Sequence, residues 1–144
     1  MIAPVMPWIP GAGLEILRAD SVFMTLTAGR VDSAPPIDVT RPYAVVWSAG
    51  SVPDDPGAVS WRPMLQVSAW APKALRDRDP VGVVWEIAAR ALAVLAGVEQ
   101  YRYRNFGFGT RAVGLDTHAD DRSRADSTVL VGASCQVELI GQAF

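Results

Sequence analysis

Toward its C-terminal end the chain alternates without a break over residues 129–139. Val129, Val131, Ala133, Cys135, Val137 and Leu139 fall on one side of an extended strand, and Leu130, Gly132, Ser134, Gln136 and Glu138 on the other. A strand with one wholly apolar face must lie in a sheet that a second layer covers on that face only. Cys135 belongs to the apolar set, so it reads as a small buried hydrophobe rather than a nucleophile. It is also the only cysteine, which excludes an intrachain disulfide and a Cys-based zinc site.

The covering layer is legible upstream. Asp79 is a capping residue, Pro80 suits a first helical turn and Gly97 a stop, which predicts a helix between them. Val81, Val84, Trp85, Ala88, Leu92 and Leu95 make one stripe, while Val83, Ile87, Ala91 and Val94 carry apolar surface well round the cylinder. Glu86 and Arg90 are the only charges in the body of this helix. So little polar surface predicts cover on two sides: the sheet on one, an N-terminal helix or a second protomer on the other.

The rest of the chain supplies partners for these two elements. Gly13 to Ala28 has helical spacing through Leu14, Leu17, Val22, Phe23 and Leu26, with a break expected near Asp20-Ser21, two capping residues, and a stop at Gly29. Before it, residues 1–13 carry three prolines and two glycines and read as an extended arm on which Trp8 needs something to pack against. A short strand is expected at Arg30-Val31-Asp32 and a covered one at Pro42–Ser48. A further strand from Val59 to Trp70 has Pro63 as an edge or bulge signal, and residues 100–115 alternate again. Between the strands lie two polar loops, Ala49–Gly57 and Thr117–Ser127. The expected fold is α+β: a mainly antiparallel sheet of about four strands with the long helix and the N-terminal helices on one face. Residues 1–13 form the arm and 14–144 a single domain.

Composition narrows the function. Half the residues are apolar and 19% charged, which argues against an intrinsically disordered chain. A net charge of −2 removes the global basic footprint of a nucleic-acid-coating protein. No apolar run approaches the ~18 residues of a membrane span, and the first residues lack the basic start of a signal peptide. The chain is therefore expected to fold in the cytosol. Twelve arginines against one lysine, Lys73, fit a GC-rich coding genome, and arginine also suits interfaces.

Reactive constellations are sparse. His118 stands among Asp116, Asp120 and Asp121, yet one histidine with carboxylates at those offsets lacks the spacing of a metal site. Asp54 and Asp55 are neighbours in a proline-rich loop, without the separation of a glycosidase pair. No Gly-x-Ser-x-Gly elbow is present, and Gly11-Ala12-Gly13 and Gly107-Phe108-Gly109 are incomplete as phosphate cradles. Tyr101-Arg102-Tyr103-Arg104 is the one basic-aromatic stretch. Its alternation favours a strand with tyrosines toward the core and arginines toward solvent over a base-stacking surface. No catalytic, cofactor-binding or metal-ligating residue is assigned.

The order of signals resembles the tail-terminator and tail-completion proteins of long-tailed bacteriophages. The residues that carry it are Thr27-Ala28-Gly29-Arg30-Val31, Pro42-Tyr43-Ala44-Val45-Val46 and Leu65-Gln66-Val67-Ser68-Ala69-Trp70, then the helix ending Ala91-Leu92-Ala93-Val94-Leu95-Ala96-Gly97, and the closing strand after a polar loop, Asp121–Glu138. Together they span roughly Leu14 to Leu139. The resemblance implies a non-enzymatic virion subunit without a cofactor, closing into a homo-oligomeric ring, usually a hexamer, on the head-proximal end of the tail. Its partners would be the major tail tube protein and the head-tail connector proteins, with genome DNA only in transit through the lumen and no membrane. It would reside in the virion and, during assembly, in the host cytoplasm. The expected contact residues are Val52, Asp54 and Asp55 in one loop, Asp116, His118, Asp120, Asp121, Arg122 and Arg124 in the other, and Arg102 and Arg104 toward the lumen or a neighbour. A head-closure adaptor and a small non-viral ligand-binding domain or enzyme are the alternatives.

Overall fold

A computed structural model describes residues 5–50 and 60–144; the side chains of residues 49 and 50 stand outside that description. Ten elements follow in order: α1 (Ile9–Arg18), α2 (Ser21–Thr27), β1 (Val31–Asp32), β2 (Tyr43–Gly50), β3 (Ser60–Trp61), β4 (Met64–Pro72), α3 (Pro80–Ala96), β5 (Tyr101–Tyr103), β6 (Phe106–Thr117) and β7 (Leu130–Ala143). The fold is α+β, with one curled half-barrel sheet ordered β1-β2-β4-β7-β6-β5 and β3 paired to β7 off that path. Among the described strands only the β1–β2 pair is parallel.

The alternating strand is the centre of the sheet. β7 pairs with β4 along Leu130–Glu138 and with β6 along Ala133–Ala143. Val131, Ala133, Cys135, Val137 and Leu139 are all buried, facing Leu65, Val67, Ala69 and Ala71 of β4 and the Val84, Ile87, Ala88, Ala91 and Leu95 ridge of α3. Each large aliphatic side chain in that layer stabilises the fold by about 1.5–3 kcal/mol. Burial pushes the Cys135 thiol up to about 12, so it is protonated at neutral pH and inert as a nucleophile.

The long helix starts as its sequence predicts: the Asp79 carboxylate accepts the Val81 N–H at 3.2 Å, and Pro80 takes the first turn. Its rotation differs from the expected stripe. Val81 and Trp85 are 46% and 41% exposed, while Val83 and Ile87 are buried. With apolar residues nearly all round the cylinder, sequence spacing does not choose a face; the ridge that fits the sheet does.

Two expectations need correction. The extended arm ends earlier than residue 13, because α1 begins at Ile9. Pro10 is pre-organised for a first turn, where its missing N–H goes unused. Gly13 lies where an added Cβ would stand 2.9 Å from Val46 and 3.1 Å from Leu65, so the helix backbone comes down closely on the sheet. The second correction is the strand number, seven rather than about four. The expected 59–70 strand is cut at Arg62-Pro63, where proline lacks a donor, and both pieces pair with β7. The expected 100–115 strand is cut at Arg104-Asn105, where Arg104 has φ 53 and turns the chain into the β5–β6 hairpin. β1 adds a two-residue edge.

The break near residue 20 is where it was expected. Asp20 caps α2 by accepting the Phe23 N–H at 2.9 Å, and the same carboxylate takes two bonds from Arg90 of α3, at 2.9 and 2.8 Å. One side chain thus ends one helix pair and ties it to the long helix. The outer face of the sheet is also partly covered. Val39, Tyr43 and Leu130 form a second, small apolar cluster with Val45 and Trp70.

Candidate functional site

The expected contact residues separate into two poles. Val52, Asp54 and Asp55 lie outside the described residues. Arg102 and Arg104 stand at the β5–β6 turn, whereas Asp116, His118, Asp120, Asp121, Arg122 and Arg124 gather beyond the other end of β6. β6 has twelve residues, and at about 3.3 Å per residue the two groups are roughly 36 Å of strand apart. They form no single site.

At the loop pole the chain after β6 folds back over the sheet. His118 stacks on Trp70 with ring centroids 5.2 Å apart and planes 13° from parallel, and its backbone N–H donates to the Gly132 carbonyl at 2.9 Å. Its Nε2 shares a hydrogen bond with Ser134 Oγ. Ser134 is fully buried and bonds Ser68 Oγ at 2.8 Å; Gln66 Nε2 donates to both serines, at 3.2 and 3.3 Å. His118 is therefore a half-buried lid over a satisfied polar network, not a freely solvated loop residue. A serine so enclosed is not accessible to a substrate, and the Ser–His pair is structural.

Around that lid the charges pair locally. Asp120 bonds Lys73 Nζ at 2.7 Å and Arg122 at 3.4 Å, and the lysine bond holds its carboxyl below the usual range. Arg124 pairs Asp126 at 3.1 Å; that bond, with the Thr128 N–H, brings the Asp126 carboxyl down to about 2. Asp121 bridges to Leu130 through the backbone and accepts from the Ser123 hydroxyl and N–H, the hydroxyl bond lowering its pKa most. Asp116 remains exposed. These carboxylates shape the loop, and among the described residues no group of three His, Cys, Asp or Glu converges to hold a metal ion.

At the hairpin pole the strand reading of Tyr101 and Tyr103 is half right. Both are partly buried and Arg102 is exposed. The Tyr101 hydroxyl donates to Glu15 of α1, and burial, then that bond, pushes its pKa up to about 12. Arg104 does not continue the alternation; it sits in the turn, 5.5 Å over the Tyr103 ring, and its Nε donates to the Tyr103 hydroxyl at 3.3 Å. Arg102 lies 4.5 Å over the Phe144 ring and donates to the Arg104 carbonyl at 3.1 Å. With Trp8, Gly11, Glu15 and Arg18 of the α1 region, Arg102, Tyr103 and Arg104 line one open groove. Trp8 is legible in the sequence, whereas Glu15, Arg18 and Phe144 are not, since nothing in local spacing joins them to a hairpin at residues 101–106.

No protein-family model matches the chain, and no curated protein matches it. Solved structures do: 13 chains match. One is a chain of the virion of a native gene transfer agent particle, with a TM-score of 0.61 and 20% sequence identity, over 94% of this chain and 96% of that one. At that identity the two chains share a fold from end to end.

Proposed function

We propose that the chain is a structural, non-enzymatic subunit of a virion, and more narrowly a tail terminator. The observation that carries this reading is the fold match to a gene transfer agent virion chain, which spans nearly the whole of both chains.

The narrower reading rests on the ordered sequence signals and on the two unlike poles. A terminator meets the last ring of the tail tube on one side and the head connector on the other, so its two ends must differ. Here one end is a salt-bridged polar loop and the other a basic-aromatic groove. Closure into a ring, a hexamer on this reading, needs lateral contacts between unlike surfaces of successive copies. The Val52–Gly57 and Asp116–Asp126 loops make the axial contacts, Arg102 and Arg104 face the lumen or a neighbour, and the assembled ring sits at the head-proximal end of the tail.

The test is to mix the purified chain with purified tail tubes and, separately, with purified heads, and to view both by negative-stain microscopy. A ring capping one end of the tube is the expected result. Binding to heads and not to tubes replaces the terminator reading with a head-closure adaptor, and binding to neither removes both.

A further inference from the structure

We infer that the groove at the hairpin pole binds single-stranded nucleic acid, with its arginines on phosphates and Trp8 against a base. This goes beyond the assembly role and does not rest on it, since the groove is complete in one copy of the chain.

The first support is electrostatic. The charged residues lining the groove are Arg18, Arg102, Arg104 and Glu15, three positive and one negative, so its lining carries +2 on a chain whose net charge is −2. The carboxylate is engaged by the Tyr101 hydroxyl. Arg18 donates to the Val31 carbonyl at 3.0 Å, and its carboxylate partner, Asp32, stands 3.9 Å away and is largely exposed, so the guanidinium keeps most of its charge for the groove. Among the described residues no carboxylate pairs with Arg102 or Arg104, in contrast to Arg90, Arg122 and Arg124. Two guanidiniums of one hairpin, with no carboxylate partner among the described residues, set up a local attraction for anions that the rest of the surface opposes.

The second support is geometric. Arg102 lies over Phe144 and Arg104 over Tyr103, and each also donates one hydrogen bond to its own hairpin. A guanidinium laid on a ring has one face covered and keeps N–H edges for acceptors, so little side-chain freedom is lost when a phosphate arrives.

The third support separates nucleic acid from an acidic peptide. Trp8 stands at the groove 60% exposed, and its side chain makes no capping bond to α1. An indole with a free face beside arginines offers a stacking platform, which a base uses and a run of carboxylates does not. A duplex keeps its bases stacked on one another, so the single strand is the better ligand.

Binding is measured by anisotropy of a fluorescein-labelled 12-nucleotide oligothymidine, with a 12-base-pair duplex and a 12-residue oligoglutamate as comparisons. Three arginine–phosphate contacts predict a log–log salt slope of about −2, or roughly fifteenfold weaker binding at 200 mM than at 50 mM salt. Arg102→Glu with Arg104→Glu is expected to weaken binding at least about tenfold and bring the slope toward −0.7. Arg102→Gln with Arg104→Asn removes the charges while keeping a residue that tolerates positive φ in the turn, and so serves if the reversal misfolds. Trp8→Ala is expected to cost at least about fivefold for the single strand and leave the slope unchanged. No binding at 50 mM salt overturns the inference. So does an oligoglutamate that competes as well as the DNA, or a duplex that binds as tightly as the single strand while Trp8→Ala changes nothing.

Discussion

Gly11 shows how one missing side chain builds the hairpin pole. A Cβ there would stand 2.1 Å from the Tyr103 hydroxyl and 2.8 Å from its ring carbon, so the hairpin docks on α1 only because the position is glycine. In an open helix, glycine to alanine gains roughly 1 kcal/mol from propensity, while forced overpacking costs about 1–3 kcal/mol. The clash is with the hydroxyl end of a rigid ring rather than of a flexible chain, so overpacking wins. Gly11→Ala should lower Tm, and Tyr103→Phe in the same background should restore part of it. A higher Tm for Gly11→Ala would remove the contact from the account. Five aspartates act at the same scale. Asp20, Asp38, Asp120, Asp121 and Asp126 are each held below the ordinary carboxylate range, chiefly by bonds from Arg90, Thr40, Lys73, Ser123 and Arg124 in turn. A depressed folded-state pKa adds stability that is present above the unfolded value near 3.9 and lost as pH falls through the folded value. Stability should therefore hold at neutral pH and fall from about pH 4 toward pH 2, where Asp126 itself protonates. Asp20→Asn should lower Tm at pH 7 and narrow the difference between pH 7 and pH 3. An unchanged pH dependence in that variant would assign the acid transition elsewhere.

At the scale of elements, legibility followed period and failed where period was silent. β7 is read directly, because its core face is written into every second residue, although Leu130, Gly132 and Ser134 on its other face are buried as well. The start of α3 is equally plain, since Asp79-Pro80 carries its own capping chemistry. The rotation of α3 is not plain, because Val81, Trp85 and the buried ridge are all apolar. The β5–β6 turn escaped for a related reason: Arg104 adopts positive φ without the Asn-Gly or Asp-Gly pair that announces such turns. The His118 lid was unreadable because Trp70 and Ser134 come from two other strands. Ser134 is the hub of that element, so Ser134→Ala leaves Ser68, Gln66 and His118 short of partners in a buried place. A loss of about 1–3 kcal/mol is expected, with faster hydrogen exchange over residues 117–121. If exchange there is unchanged, the lid is held by the Trp70 stack alone.

At the scale of the molecule, the chain places its ordered chemistry inside and leaves selected apolar groups outside. Val81 and Trp85 lie one turn apart on the outer side of α3, opposite the side that packs on the sheet. Surface substitutions away from special features change stability by about 0.5 kcal/mol or less. Val81→Lys with Trp85→Lys should therefore leave the monomer's Tm nearly unchanged while preventing ring closure, as seen in native mass spectra. Rings that form normally with both lysines would place the lateral contact on another face. Arg102 and Arg104 are set apart from the 116–126 loop already in the sequence, and β6, running from one group to the other, gives the distance between them. The proposed function makes the protein a fixed part of a particle. The most direct measurement is quantitative composition of purified particles, combined with labelled-antibody microscopy of the chain's position. On the proposed function there is one ring's worth of copies per particle, all at the head-proximal end of the tail. Absence from purified particles, or copies spread along the tube, would contradict it.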